Sequence, residues 1–299
     1  MMSARDIMLR GVLLKNEPMS RHTSWRVGGP ADKFYKPADV EDLAAFLRQL
    51  PENEPLFWLG LGSNLLVRDG GIRGTVICTS GVLNRLELLD DQRVRAEAGV
   101  ACAKVARFCA HQGFQNAEFL AGIPGTLGGA LAMNAGAHGG ETWDLVTEVE
   151  TLDRHGTRHR RAAKEYTISY REVHGPDQEW FIAAYLQLEQ DQQLESADRI
   201  KQLLARRNTT QPVQQPTAGS VFRNPPGDFS ARLIEASGLK GKCIGGACVS
   251  EKHANFIVNT GDATASDIEA LIAHVGETIA RKHKIELVRE VHIVGEPST

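Results

Sequence analysis

Between Ala121 and Glu141 the chain carries seven glycines, at 122, 125, 128, 129, 136, 139 and 140, with one proline, Pro124. A flexible linker would be polar and rich in serine. This stretch has no serine and is largely apolar, so it is expected to pack. Glycine admits backbone torsions and close approaches that other residues do not, and a long packed run of it suggests a backbone moulded around a large flat or phosphorylated ligand. The alternative is a set of tight turns and nothing more.

A second cluster, Trp58-Leu59-Gly60-Leu61-Gly62-Ser63-Asn64-Leu65-Leu66, follows an apolar run that reads as a buried strand. The third glycine of a G-x-G-x-x-G fingerprint would fall at Leu65, which disfavours a Rossmann site. What remains is a short loop of backbone N–H groups with Ser63 and Asn64 as further donors. Such a nest suits phosphate oxygens, and a plain tight turn fits it as well.

The rest of the chain sets limits on partners. It has 299 residues, 42% hydrophobic and 24% charged, with 34 basic against 37 acidic side chains. That is enough apolar material for a sizeable core and lacks the basic footprint of a nucleic-acid binder. No apolar run approaches the ~18 residues of a membrane span. Arg5, Asp6 and Arg10 interrupt the stretch from Met1 to Lys15, unlike a secretory signal, so a cytoplasmic address is expected. The five cysteines, Cys78, Cys102, Cys109, Cys243 and Cys248, include no Cys-x-x-Cys pair. They predict neither a zinc site nor a disulfide framework, only scattered buried thiols.

Periodicity predicts an alternation of strands and helices. Asp39 caps a helix whose apolar stripe is Val40, Leu43, Phe46, Leu47 and Leu50. Strands are expected at 56–59 and 75–78, and a hairpin from Leu86 to Ala98 around Asp90-Asp91. A helix follows from about Val100 to Gln112, with Gly113 at its end. Strands at 145–152 and 157–161 turn at His155-Gly156, and another spans 180–188. A helix is expected from about Ser196 to Arg207, then a proline-rich loop from Asn208 to Pro226. Helices near 229–237 and 266–283 (Thr264 as cap) and strands at 255–259 and 285–294 complete the chain.

Several chemical signals are set aside. His155 and His159 are four apart, but on a turn rather than one helical face, so they read as a solvated hairpin instead of metal ligands. There is no G-x-S-x-G elbow, and Gly241-Lys242 runs into Cys243 rather than the Ser or Thr of a P-loop. His253 either touches a ligand or packs; both readings stay open.

Six segments in order carry a resemblance: Leu59–Val67, Ala121–Glu141, Ile-Ser-Tyr-Arg-Glu (168–172), Ala-Gly-Ser-Val-Phe-Arg-Asn-Pro (218–225), Gly245–Asn259 and Leu-Val-Arg-Glu-Val-His-Ile-Val-Gly (287–295). Together they cover essentially the whole chain and resemble the UDP-N-acetylenolpyruvoylglucosamine reductase family of flavoenzymes, with Trp25 to Ala31 matching a further family segment in the first subdomain. The resemblance implies an α+β protein with the vanillyl-alcohol-oxidase type of FAD-binding fold. Its two α+β subdomains would be residues 1–80 and 81–192, and a C-terminal α+β substrate-binding domain would be residues 193–299. Gly60, Gly62, Ser63 and Asn64 would line the FAD pyrophosphate. Gly122, Ile123, Pro124, Gly125, Thr126, Gly128 and Gly129 would pack along the cofactor, with Asn134, Ala135 and Gly136 nearby.

The implied reaction is reduction of a sugar-nucleotide enolpyruvyl ether to its lactyl ether, with NADPH as reductant and bound FAD as carrier. By the match, Arg171 and Glu290 would act on the substrate carboxylate and Ser220 would deliver the proton. The chemistry accounts for these types. Hydride addition leaves enolate character beside the carboxylate, which a planar guanidinium matches and stabilises. A glutamic acid kept protonated in an apolar site can donate a further hydrogen bond, and a serine need only be placed on the right face of the carbon. Arg223 and Asn224 match substrate-contacting positions, and Arg206, Arg207 and Lys252 offer cations for a pyrophosphate.

The chain departs from the family at two positions: Val173 stands where a serine is common, and Thr210 where a lysine is common. Eight residues separate Arg171 from Trp180, too few for the tyrosine-bearing loop of one branch, so the chain is similar to the shorter type. A monomer acting on a small-molecule substrate is expected, with no nucleic-acid or membrane partner. The alternatives are an FAD-dependent alcohol or hydroxy-acid oxidase of the same cofactor fold, and a nucleotide-binding module without catalysis.

Overall fold

The computed structural model describes residues 8–89 and 92–298. Six α-helices are present among them: α1 (Val40–Gln49), α2 (Cys102–His111), α3 (Leu127–Ala132), α4 (Ser196–Thr210), α5 (Ser230–Ala236) and α6 (Ala265–His283). The chain forms two compact units. One contains residues 8–14, 33–60 and 74–204, and the other residues 15–32, 61–73 and 205–298.

In the first unit a five-stranded antiparallel sheet runs in the order Arg158–Ala162, Val146–Asp153, Glu179–Gln187, Arg93–Glu97, Leu86–Leu88. Its central strand alone holds Ile182, Ala183, Ala184 and Leu186, all fully buried. α2 lies in the same core because Cys102, Val105, Ala106 and Cys109 recur at helical spacing and are all buried. Burial pushes the Cys102 and Cys109 thiols up to about 12, so they behave as small apolar side chains. Strand Leu56–Leu59 pairs in parallel with Ile72–Cys78, from Leu56 opposite Thr75 to Leu59 opposite Cys78, and delivers Gly60 to the end of the pair.

α1 begins as expected, with the Asp39 carboxylate accepting from Asp42 N–H. Asp42 itself is 3% exposed. It accepts from Arg10 N–H at 2.7 Å, Tyr35 OH at 2.5 Å and Ala38 N–H at 2.9 Å. Burial raises its pKa, but these bonds outweigh burial and the net shift is downward. Its stabilisation is therefore complete above the ordinary carboxylate range, about pH 4, and is lost as pH falls through the lowered native value. Asp42→Ala strands these donors and is expected to cost about 2–3 kcal/mol at pH 7. It should cost progressively less as the pH falls below about 4; urea melts across that range check this.

In the second unit α5 and α6 pack on a small sheet of Cys243–Ile244, Ala247–Val249 and Ile257–Asn259. Thr264 caps α6 within a capping box closed by Asp267, and Ile268, Leu271, Ile272, Val275 and Ile279 form its buried face. Trp25, fully buried, donates from Nε1 to Ile257 O at 2.8 Å, and Asn259 Nδ2 donates to Trp25 O at 2.9 Å. The Trp25–Ala31 segment is thereby stitched to the C-terminal sheet. Leu65–Val67 pairs in parallel with His292–Val294.

Four expectations are corrected. Cys243 and Cys248 face each other across the hairpin that turns at Gly245-Gly246, and they form a disulfide. The other three cysteines are buried thiols, as expected. α4 continues through Asn208 to Thr210, where the Thr209 and Thr210 hydroxyls donate to Arg206 O, so the loop starts later. The stretch 285–291 is not a strand: Glu290 and Val291 N–H both donate to Val221 O, Arg223 N–H donates to Val288 O, and regular pairing starts only at His292. The strand at the Asn255 end likewise begins at Ile257. The expected turn at Asp90-Asp91 lies outside the described residues, between paired strands Leu86–Leu88 and Arg93–Glu97.

Candidate cofactor cavity and active-site residues

The glycine-rich segment from Ala121 folds against the end of strand Arg93–Glu97 and the start of α2. Cys102 N–H donates to Gly125 O, Leu127 N–H to Val100 O and Gly128 N–H to Ala98 O, at 2.8–2.9 Å. At Gly128 a Cβ would stand 2.9 Å from the Ala98 Cβ, and at Gly60 it would stand 2.4 Å from Thr126 Oγ1. These are close backbone approaches only glycine permits. Thr126 Oγ1 also accepts from Gly129 N–H. Gly60, Thr126, Gly128 and Gly129 line a cavity of ≈ 390 Å³, closed on its other side by Trp58, Tyr166, Val173 and residues 174–181. On that wall two buried polar atoms, Trp58 Nε1 and Tyr166 OH, have no hydrogen-bond partner. Buried polar groups are rarely left unpaired without a functional reason, so the cavity fits a ligand rich in both flat apolar surface and acceptors, as FAD is.

Arg171 is the last residue of a two-residue turn, Tyr170-Arg171, between strands Thr167–Ser169 and Glu172–His174. It holds a left-handed conformation, φ 60°, which a non-glycine residue adopts at a cost of order 1–3 kcal/mol. The guanidinium donates to Asn134 O at 3.2 Å and Gly136 O at 3.0 Å. Asn134 is itself fixed: its Nδ2 donates to Glu141 and to Ser169 O, and its Oδ1 accepts from Trp143 N–H. Arg171 is thus tied to the second half of the glycine-rich stretch, where Asn134, Ala135 and Gly136 lie. Gly122, Ile123 and Pro124 lie at the end of the 3-10 turn Glu118–Gly122, upstream of the cavity wall.

The other candidates lie in the second unit. Segments 220–223 and 288–291 run antiparallel: Glu290 N–H donates to Val221 O at 2.8 Å, Arg223 N–H to Val288 O at 2.8 Å, and Phe222 pairs with Arg289. Ser220 and Glu290, seventy positions apart, are thereby each adjacent to a residue of the same pairing. Asn64 joins them, its Nδ2 donating to Glu290 O at 3.0 Å and its own carbonyl accepting from His292 N–H. Gly62, at φ 59°, leads into this loop, and its carbonyl accepts from Ser24 N–H.

Asn255 was not singled out from the sequence, although its segment was. Its side chain accepts from Phe222 N–H at 3.0 Å and donates to Phe222 O at 2.8 Å, while its carbonyl accepts from Val221 N–H. It clamps the residues that follow Ser220.

The expected substrate contacts are distributed more widely. Asn224 Oδ1 accepts from Ser230 N–H at the start of α5, and Arg223 O accepts from the Ser230 hydroxyl. Arg207 donates to Gln211, and burial lowers its pKa. Lys252 reaches Asn208 O. Val173 lines the ≈ 390 Å³ cavity, and Thr210 closes α4. His253 packs edge-on against Phe256 with a buried, unpartnered Nδ1.

Comparison with known proteins identifies the family. An FAD-binding domain model matches residues 31–161, and the model of the UDP-N-acetylenolpyruvoylglucosamine reductase C-terminal domain matches residues 211–294. The chain is 60% identical over 296 residues to the UDP-N-acetylenolpyruvoylglucosamine reductase of Alkalilimnicola ehrlichii, with 99% of each covered. It is 62% identical over 290 residues to that of Nitrosococcus oceani, with 97% of each covered. The crystal structure of the Thermus caldophilus UDP-N-acetylenolpyruvylglucosamine reductase superposes with a TM-score of 0.81 at 31% identity, covering 96% of this chain and 99% of that one. With both halves of the fold and nearly its full length matched, the chain belongs to the UDP-N-acetylenolpyruvoylglucosamine reductase family.

Proposed function

We propose that Arg171, Ser220 and Glu290 act together on the enolpyruvyl group of the substrate, and that the glycine-rich segments hold the cofactor. The protein is an FAD-containing oxidoreductase that uses NADPH to reduce UDP-N-acetylglucosamine enolpyruvate to UDP-N-acetylmuramate, a step of peptidoglycan precursor synthesis. Bound FAD supplies a two-electron carrier between NADPH and the terminal carbon of the enolpyruvyl ether. Arg171 forks onto the substrate carboxylate and stabilises the negative charge that grows there. Glu290 donates a hydrogen bond to the same carboxylate. Ser220 Oγ gives its proton to the neighbouring carbon and recovers one from solvent. Arg223 and Asn224 contact the substrate, and Arg206, Arg207 and Lys252 attract its pyrophosphate.

The observation that carries this reading is the pairing of segments 220–223 and 288–291 with Asn64 bonded to Glu290. It knits a proton-donor candidate, an acid and the phosphate-loop motif into one patch. The reading extends to the division into subdomains 1–80 and 81–192 and a substrate domain 193–299, and to a cytoplasmic monomer. No helix among the described residues is long and apolar enough to cross a membrane.

The visible spectrum tests the function. Purified protein is expected to show oxidised-flavin absorption that NADPH bleaches and the enolpyruvyl sugar nucleotide restores. Flavin absorption that simple alcohols bleach, and oxygen restores, would favour the oxidase alternative. Colourless protein that takes up no FAD would defeat both.

A further inference from the structure

We propose that Cys243 and Cys248 form a redox site: their disulfide exchanges with small thiols, and its state sets how firmly the turn at residues 250–256 is held. The two cysteines are register partners in strands Cys243–Ile244 and Ala247–Val249. Alternation along the second strand sends Ala247 and Val249 into the core and turns Cys248 to the opposite face. Cys243 is exposed and Cys248 half-buried, so a thiol in solution reaches the bond at Cys243. Cys78, Cys102 and Cys109 are buried thiols instead, and burial pushes the last two up to about 12. Thiolates carry this chemistry, so it is confined to the one pair.

The fold does not depend on the bond. It joins residues five apart in sequence, and closing so short a loop removes little freedom from the unfolded chain. The Gly245-Gly246 turn is fixed separately against the start of α6. A Cβ at Gly246 would stand 2.4 Å from Ala263 N, and one at Gly245 2.3 Å from the Asp267 carboxyl carbon. Strand Ala247–Val249 also pairs on its other side with Ile257–Asn259. Reduction therefore leaves the hairpin tip and the sheet in place. A reachable disulfide that stabilises little belongs to the labile class, and in the reducing compartment proposed above such a pair serves redox sensing.

What the bond does hold is the base of the hairpin. There Gly241 N–H donates to Val249 O at 3.0 Å and Val249 N–H to Lys242 O at 2.9 Å. Ser250 then opens the 250–256 turn. Its N–H donates to Phe256 O, and its hydroxyl accepts from Lys252 N–H at 3.2 Å and His253 N–H at 3.4 Å. The turn carries Lys252, which reaches Asn208 O, and the Asn255 clamp on Phe222. With the sulfurs parted, the 241–243 arm leaves Val249 more often and the turn opens more readily.

In the exchange a thiolate attacks Cys243 Sγ, the S–S bond breaks, and Cys248 leaves as a thiolate that takes a proton. A second thiol attacks the sulfur of the first and frees Cys243. Two thiols become one disulfide, and the protein gains two electrons and two protons.

The test alkylates the folded protein with iodoacetamide after oxidised glutathione, then again after dithiothreitol, and places the labels by peptide mass spectrometry. Neither label nor glutathione adduct is expected before reduction. After it, Cys243 and Cys248 are expected to be labelled and the three buried thiols not. Amide hydrogen exchange at 241–256 is expected to quicken about tenfold on reduction, and in Cys243→Ser to be fast with or without dithiothreitol. Thiols that oxidised glutathione does not close, a bond that dithiothreitol opens only together with labelling of the buried thiols, or equal hydrogen exchange in both states overturns the proposal. The consequence for activity rests on Lys252 attracting the substrate pyrophosphate and is read separately. On reduction the KM for the sugar nucleotide is expected to rise about fivefold, the low end of coupling between sites. Quickened hydrogen exchange with an unchanged KM upholds the redox site and removes Lys252 from the substrate contacts.

Discussion

Ser220→Ala is expected to leave reduction of the bound flavin by NADPH at its parental rate and to slow reoxidation by the enolpyruvyl sugar nucleotide by about 10²–10⁴-fold, the usual worth of a positioned proton donor. The two half-reactions separate because the hydroxyl acts only on substrate carbon. Fold stability should be nearly unaffected. The neighbours are held by backbone bonds from Val221 to Asn255 and Glu290, and by the two bonds of the Asn255 side chain to Phe222. None of these involves the Ser220 oxygen. Stopped-flow absorbance of the flavin with each partner in turn measures both rates. Equal loss in the two half-reactions would assign Ser220 a structural role. Asn255→Ala supplies the contrast. It strips the clamp from Phe222, leaves buried backbone groups unpaired, and is expected to lower stability by about 1–3 kcal/mol in thermal unfolding.

Arg171→Met is expected to lower kcat/KM for the sugar nucleotide by about 10²–10³-fold, since it removes the donors aimed at the charge that develops on the carboxylate. Flavin reduction should change much less. Methionine keeps the length and apolar stem and must adopt the same left-handed backbone, so turn strain is similar in both proteins. Arg171→Lys is the discriminating variant. A single ammonium does not reproduce a planar fork, nor the paired donation to Asn134 and Gly136 carbonyls, so activity is expected to remain well below the parent. Full activity with lysine would show that charge alone suffices there.

Much of this architecture was legible wherever a single element carries its own signal. α1 and α6 follow from capping residues and apolar stripes, and the glycine-rich segments pack as their apolar character requires. The misreadings arise where a distant partner decides. Ile285, Leu287 and Val291 alternate as a strand would, yet their segment meets residues 221–223 at one isolated bridge and forms no ladder before His292. Cys243 and Cys248 are five apart in sequence. They become neighbours because Gly245-Gly246 makes a two-residue turn that sets them opposite each other; the double glycine was the available signal. At Arg171 nothing in the residue type announces a positive φ. Tyr166, Trp58 and Trp180 carry no pattern at all, because over a hundred residues separate Trp58 from the other two. By contrast Ser220, Glu290 and Asn64 stood in motifs, and the structure shows the backbone pairing that makes them neighbours.

A crystal structure of the protein with FAD and the enolpyruvyl sugar nucleotide bound tests the central claim most directly. The account predicts the Arg171 guanidinium and the Glu290 carboxyl within hydrogen-bond distance of the substrate carboxylate. It also places Ser220 Oγ within about 3–3.5 Å of the carbon beside that carboxylate, on the face opposite the flavin or reachable from it. A complex in which any one of the three side chains points away from the enolpyruvyl group, with no path to it, would contradict the account.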